Sequence, residues 1–280
     1  MDYKALMAFP IPEVVQTWTP RDAMFYALSV GVGRGRYERE LDYVYEGRGP
    51  SVLPSYCVDL GHPGFWLANP ETTVDATGVL HAAEGFTLHA PLPASGTVRS
   101  TTRIQDVVDR GPDRGAFIYT RKEVRCAESG RLLATVDRTV LLRRDGGYAG
   151  PSGTVRPALP LPEGEPDRVT ENAVRPEQAL LYRMNGDSNP LHADPEVAAR
   201  AGFDGPILHG LCTFGMACSE VLFALADGDA ARLRGFQARF SAPVFPGETL
   251  RFEIWKSGAV RVSSVERDQV VLSHAQAQLI

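Results

Sequence analysis

A stretch dense in Gly and Pro, DGGYAGPSGTVRPALPLPEGEPD at residues 145–167, cuts this 280-residue chain in two. No hydrophobic period survives it, so it reads as an extended linker rather than as part of a core. Each flanking segment is long enough to bury a core of its own. In the first, Thr19 is placed to cap a helix, Pro20 takes its first position, and apolar residues keep helical spacing through TPRDAMFYALSVGVG. The runs GTVRSTTRIQDVV, GAFIYTRKEVRC and RLLATVDRTVLLR follow, rich in β-branched and aromatic residues and separated by the turn chemistry of DRGPDRG and AESG. In the second segment, LCTFGMACSEVLFALA sets Leu211, Phe214, Gly215, Cys218, Val221, Leu222 and Leu225 along one helical face. Strand candidates RGFQARFSAPV, ETLRFEIWKSG, AVRVSSVER and QVVLSHAQAQL come next. GFTLHAPLPASGTV in the first half echoes ARFSAPVFPGETL in the second: strand, proline, Gly-containing turn, strand. A helix followed by antiparallel strands, twice over, predicts an α+β fold duplicated within one chain. The expected divisions are 1–145, a linker at 146–167, and 168–280.

Composition narrows the partners. At 44% hydrophobic and 22% charged the chain is ordinary for a globular protein, and its net charge of -5 argues against a nucleic-acid or anionic-membrane binder. Among its basic residues only Lys4, Lys122 and Lys256 are lysines, a bias read here as codon usage rather than phosphate recognition. The N-terminus, with prolines at 10 and 12, lacks the apolar core of a signal peptide, and the terminal QLI is no peroxisomal address. No apolar run is long enough to span a membrane. Cys57, Cys126, Cys212 and Cys218 form no C-x-x-C pair and are expected reduced, which fits the cytoplasm.

One segment carries chemistry: RPEQALLYRMNGDSNPLHADPEVAARAGFDGPILHG. Pro176 is placed to open a helix and Gly186 to end it. Asp194 then caps a second helix, with Pro195 at its first position and Gly202 past its end. Between them lies a loop containing Asp187, Asn189, Pro190 and His192. A loop pinned at both ends can hold a carboxylate and an imidazole close enough to polarise one water. Asp187 could equally close a local Asx turn, and His192 could pack against the next helix. A second element weighs for the chemistry. Gly205–Pro206 make a turn, and His209–Gly210 enter the long apolar helix, whose first amides lack partners and carry the positive end of its dipole. The Gly210 N–H could stabilise charge developing on a carbonyl oxygen.

The string YRMNGDSNPLH followed by GPILHGL resembles the signature of the MaoC-like, or hydratase 2, family of (R)-specific enoyl-CoA hydratases. The likeness covers nearly the whole chain, including LHAAEGFTLHAPLPASG in the first half and FSAPVFPGETL in the second. It implies a double hot dog, with two long central helices wrapped by antiparallel sheets. It also implies Asp187 and His192 as the acid–base pair, Asn189 hydrogen-bonded within the site, and Gly210 as the oxyanion donor. His209, Pro190, Phe240, Pro243 and Gly247 would contact substrate. The substrate would be an acyl-CoA thioester with coenzyme A as part of it; no other cofactor and no metal are expected, and the chain is expected as a homodimer. Two positions depart from the pattern: Asn185 where many members have Ser or Thr, and Ala83 where an acid is usual, with Glu84 directly after it. The second departure bears on substrate range. Residues 66–86 of the first half are expected to line the acyl end of the pocket.

Other motifs carry less. The glycines of GVGRGRY follow a helix, not a strand, so no dinucleotide site is expected, and no G-x-S-x-G elbow occurs. Asp187, His192 and His209 match no common metal spacing. Asp75 and His81 lack the intervening Asn-Pro and should form no second pair; His62, His89 and His274 read as ordinary surface or strand residues. Two alternatives stay open: a dehydratase for branched, steroid-side-chain or carrier-protein thioesters, and a non-catalytic acyl-CoA-binding subunit.

Overall fold

The computed structural model describes residues 1–160 and 163–280, so Leu161 and Pro162 of the expected linker lie outside the described residues. Ten strands carry the architecture: β1 (Val14–Trp18), β2 (Val79–Leu88), β3 (Gly96–Asp109), β4 (Ala116–Cys126), β5 (Leu132–Leu142), β6 (Arg168–Ala173), β7 (Leu233–Phe240), β8 (Thr249–Ile254), β9 (Ala259–Ser264) and β10 (Gln269–Leu279). They form one sheet in the order β1-β3-β4-β5-β2-β7-β10-β9-β8-β6. If the second five strands are renumbered from one, the order reads 1-3-4-5-2 and then 2-5-4-3-1. The sheet is a palindrome about the β2–β7 seam, where Phe86 pairs with Phe236 in antiparallel register. The strands that echoed each other in sequence are the two that meet there.

The helices are α1 (Tyr3–Ala8), α2 (Pro20–Ser29), α3 (Leu41–Val44), α4 (Gln178–Tyr182), α5 (Pro195–Arg200) and α6 (Gly210–Leu225). Only one of the two expected central helices is long: α6 has 16 residues and α2 has 10. Helix α2 starts where the sequence placed it, with Thr19 and Asp22 forming a reciprocal capping box and Pro20 inside it. Helix α4 starts later than Pro176, at Gln178, and tightens into a 3₁₀ turn over Arg183–Asn185 before Gly186 (φ +124°) ends it. Side by side, α2 and α4 share Pro-x-x-Ala-x-x-Tyr, as Pro20, Ala23, Tyr26 and Pro176, Ala179, Tyr182, and the two tyrosine rings lie 6.3 Å apart.

Helix α6 is buried on every face from Leu211 to Phe223, not along one stripe. A helix apolar all round needs cover on all sides. Strands of both halves and the neighbouring helices supply it, in one core that includes Phe86, Phe214, Phe236 and Phe252. Gly215 permits the closest approach, since a Cβ there would lie 2.6 Å from Val30 Cγ1. The one acid in this run, Glu220, is fully buried and is held by Arg36, by the Tyr37 hydroxyl at 2.7 Å and by Thr170 Oγ1 at 3.0 Å.

Candidate active site

The loop between α4 and α5 is fixed by short local bonds. The Asn189 N–H donates to Asp187 Oδ1 at 3.1 Å, and the Leu191 N–H donates to Asn189 Oδ1 at 3.1 Å, capping the 3₁₀ turn Pro190–His192. The Asx turn is therefore real, and it leaves the Asp187 side chain exposed with its second oxygen free of these bonds. Asn189 is hydrogen-bonded within the loop in two ways, through its amide to Asp187 and through its side-chain oxygen as the cap of the turn. Asn185 anchors the loop from behind, donating to Ser29 Oγ at 2.8 Å and to the Tyr182 carbonyl at 3.0 Å. Asp194 caps α5 through the Glu196 and Val197 amides, as its position implied.

His192 is buried, and its Nδ1 lies 2.8 Å from the Ile207 carbonyl. A carbonyl only accepts, so Nδ1 carries the proton and Nε2 keeps its lone pair. Burial pushes this imidazole below its ordinary range, so it is neutral at pH 7 and able to take a proton. His209 stacks on it, with centroids 3.7 Å apart, and its Nε2 is 3.3 Å from the Asp187 carbonyl. Burial, reinforced by the His192 ring, pushes His209 down to about 4. At 1% exposure it braces His192 and Asp187 from behind. Polar atoms of Asp187, His192 and His209 lie within 4.8 Å of one another. Such a trio could hold a cation, but ring nitrogens of both histidines already face backbone carbonyls, an arrangement that suits proton transfer.

Gly210 is the first residue of α6, after His209. No side chain caps this end, and among the described residues no backbone bond engages the Gly210 amide. It therefore remains a donor at the positive end of a 16-residue helix. The missing Cβ is explained by Phe240: a methyl on Gly210 would lie 3.1 Å from Phe240 Cε1. It would press on that ring.

A cleft of about 370 Å³ opens beside His192, walled by Pro176, Leu180, Asp204, Pro206, Phe245 and Pro246. Of the other expected contacts, Pro190 starts the exposed turn and Phe240 packs between Gly210 and His81. Pro243 and Gly247 do not line the cleft. The Pro243 carbonyl accepts from Arg267 Nη2 at 2.6 Å, and Gly247 sits at φ +98° in the turn before β8. The lining residues of that segment are Phe245 and Pro246, one or two positions away, a difference that spacing does not encode. Asp75 caps a 3₁₀ turn and His81 bonds Glu84, so the first half holds no second Asp–His pair. His89 and His274 are strand or strand-end residues, but His62 lies inside the first half against Arg138.

Both halves of the chain match known domain families. Residues 17–144 match the MFE-2 hydratase 2 N-terminal domain and residues 158–277 match the MaoC like domain. The chain is 39% identical over 284 aligned residues to the enoyl-CoA hydratase ChsH3 of Mycobacterium tuberculosis, covering 97% of this chain and 96% of that one. A MaoC-like dehydratase from Phytophthora capsici superposes with a TM-score of 0.86 at 28% identity, covering 100% and 99% of the two chains. A Mycobacterium tuberculosis protein described as having a double hot-dog fold superposes at 0.60 with 18% identity, over 97% and 94% of the chains, a likeness of fold alone.

Proposed function

Because the chain belongs to the MaoC-like hydratase 2 family, we propose that it adds water reversibly across the double bond of a trans-2-enoyl-CoA to give a (3R)-3-hydroxyacyl-CoA. The observation that carries this reading is the neutral His192, its Nε2 unprotonated, beside Asp187 and next to the uncapped start of α6. The thioester oxygen accepts the Gly210 N–H, which draws electrons from the double bond and leaves C3 electrophilic. A water between Asp187 and His192 gives one proton to the pair while its oxygen bonds C3. The pair returns that proton to C2, so hydrogen and hydroxyl are added and both groups are regenerated. Coenzyme A enters as part of the substrate, and the scheme uses neither metal nor redox cofactor.

The same reading assigns the catalytic groups to residues 168–280, after the linker at 146–167, and gives 1–145 the acyl end. A cytoplasmic homodimer completes it; the unpaired cysteines suit a reducing compartment, and no helix among the described residues is long and apolar enough to cross a membrane. The test is the loss of enone absorbance from crotonyl-CoA, with the product offered to an (R)-specific 3-hydroxyacyl-CoA dehydrogenase. Hydration followed by oxidation supports the reading. No hydration, or a product that this dehydrogenase ignores, refutes it.

A further inference from the structure

On the reading that gives residues 1–145 the acyl end, an acyl tail would meet a charged interior. Glu84 on β2 is 2% exposed and faces Arg138 across the β2–β5 ladder. Arg138 grips it with Nε at 2.8 Å and Nη2 at 3.1 Å, while His81 Nε2 reaches the same carboxylate at 2.8 Å. The remaining arm of Arg138 contacts His62 Nε2. Beside this knot, the buried Lys122 ammonium donates to the Val58 carbonyl at 2.8 Å and the Leu60 carbonyl at 2.7 Å, pinning the chain that wraps it. What space is left measures about 30 Å³, room for little more than a water.

The knot stands directly behind the reaction centre. The His81 ring packs 4.6 Å from Phe240, the ring that Gly210 abuts. On the other side, Tyr182 lies 5.1 Å from His209 and donates its hydroxyl to Asp59 at 2.9 Å, one residue from the Leu60 carbonyl that Lys122 holds. The roomier cleft, about 370 Å³, lies on the other side by His192 and is walled by second-half residues. Burial pushes the Glu84 carboxyl up, but Arg138 and His81 outweigh it and hold it down to about 2, so the pair is ionised across the working range. Opening it for a hydrocarbon would strand two charges.

Resting on the hydratase reading above, we propose that the Glu84–Arg138–His62 knot closes the first-half interior to long acyl tails, so that the substrates are compact enoyl thioesters of roughly four to six carbons. It gives the expectation that residues 66–86 line the acyl end a narrower form, with room there for a short chain only.

The test compares kcat/KM for crotonyl-CoA and trans-2-decenoyl-CoA. A methylene entering an apolar channel tightens binding roughly three- to fourfold, whereas one that meets this wall gains nothing. The wild-type protein is expected to favour crotonyl-CoA by about tenfold or more. A decenoyl-CoA value equal to or above the crotonyl-CoA value overturns the proposal. The double variant Glu84→Leu/Arg138→Leu removes both charges together, which buried pairs tolerate far better than loss of one partner. It should raise the decenoyl-to-crotonyl ratio about tenfold, and a folded double variant with an unchanged ratio also overturns the proposal. The wild-type comparison stands even if that variant does not fold. Absence of hydration with every enoyl-CoA would remove the hydratase reading itself, an outcome distinct from a flat chain-length profile.

Discussion

Replacing Gly210 with alanine tests the proposed oxyanion donor. The substitution keeps the backbone N–H and should gain some helix propensity, up to about 0.5–1 kcal/mol. Against that, the new methyl would lie 3.1 Å from Phe240 Cε1 and 3.2 Å from Cδ1, so the ring must give by a few tenths of an ångström. It cannot retreat freely, because His81 packs on it and is itself tied to Glu84. Overpacking of this kind costs about 1–3 kcal/mol, so the net loss is about 0–2.5 kcal/mol and the melting temperature should fall by only several degrees. Turnover should suffer more, because small displacements at the reacting atoms are expensive; a loss of about tenfold in kcat/KM on crotonyl-CoA is expected. A double-mutant cycle isolates the cause. In a Phe240→Leu background the methyl has room, and Gly210→Ala should then cost less than about threefold. If alanine costs the same tenfold in both backgrounds, the ring is not the reason for glycine, and the methyl is obstructing the ligand itself.

Asp187→Asn and His192→Gln should each lower kcat by about 10²–10⁴-fold with an unchanged circular dichroism spectrum; a folded variant with near-full kcat would exclude that residue. Since burial keeps His192 neutral below the ordinary imidazole range, the acid limb of the kcat/KM profile should fall below pH 6.5, and a limb above that value would contradict it. Glu84 has a folded-state pKa of about 2 against an ordinary 4.5, so its contribution is complete above pH 4.5 and is lost as pH falls toward 2. That gap corresponds to roughly 3 kcal/mol, and melting curves between those pH values should flatten in Glu84→Gln. A thiol reagent on the native protein should modify Cys126 quickly, because hydrogen bonding from Ser129 lowers its pKa, while burial raises the Cys57, Cys212 and Cys218 thiols and hides them. Equal reactivity of all cysteines without denaturant would contradict the packing of α6.

Signals made by neighbours in sequence were legible. The Thr19 cap with Pro20, the Asp194 cap with Pro195, and β3, β4 and β5 stand within a residue or two of where propensity and turn chemistry put them. The weak echo between the two proline-broken strand pairs marked the central seam, although nothing in it stated that β2 and β7 would pair. The Pro-x-x-Ala-x-x-Tyr echo of α2 and α4 was also present in the sequence, and it is the stronger sign of duplication. Burial was not legible where it depends on distant partners. His62 reads as a surface residue until Arg138, 76 positions later, is folded against it. Lys122 breaks a strand's apolar alternation for no local reason; its partners are carbonyls more than sixty residues earlier. The apolar stripe of α6 understated its burial because the opposite face is covered by parts of the other half.

The two longest helices begin differently. The start of α2 is closed by the Thr19–Asp22 box and by a proline that has no amide proton to offer, whereas α6 starts bare. A missing cap costs about 1 kcal/mol, so the free enzyme carries a standing instability at the place where it binds. On the proposed reading, the thioester oxygen would serve as the missing cap. Occupancy should therefore stiffen α6 and raise the melting temperature, by an amount equivalent to about 2.7 kcal/mol at a hundredfold excess of a saturable ligand over its Kd. A substitution that installed a cap at position 209, such as His209→Ser, would relieve the instability from within, remove the brace behind His192, and engage the amides that the substrate needs. Thermostability gained at that helix end would come at the expense of turnover.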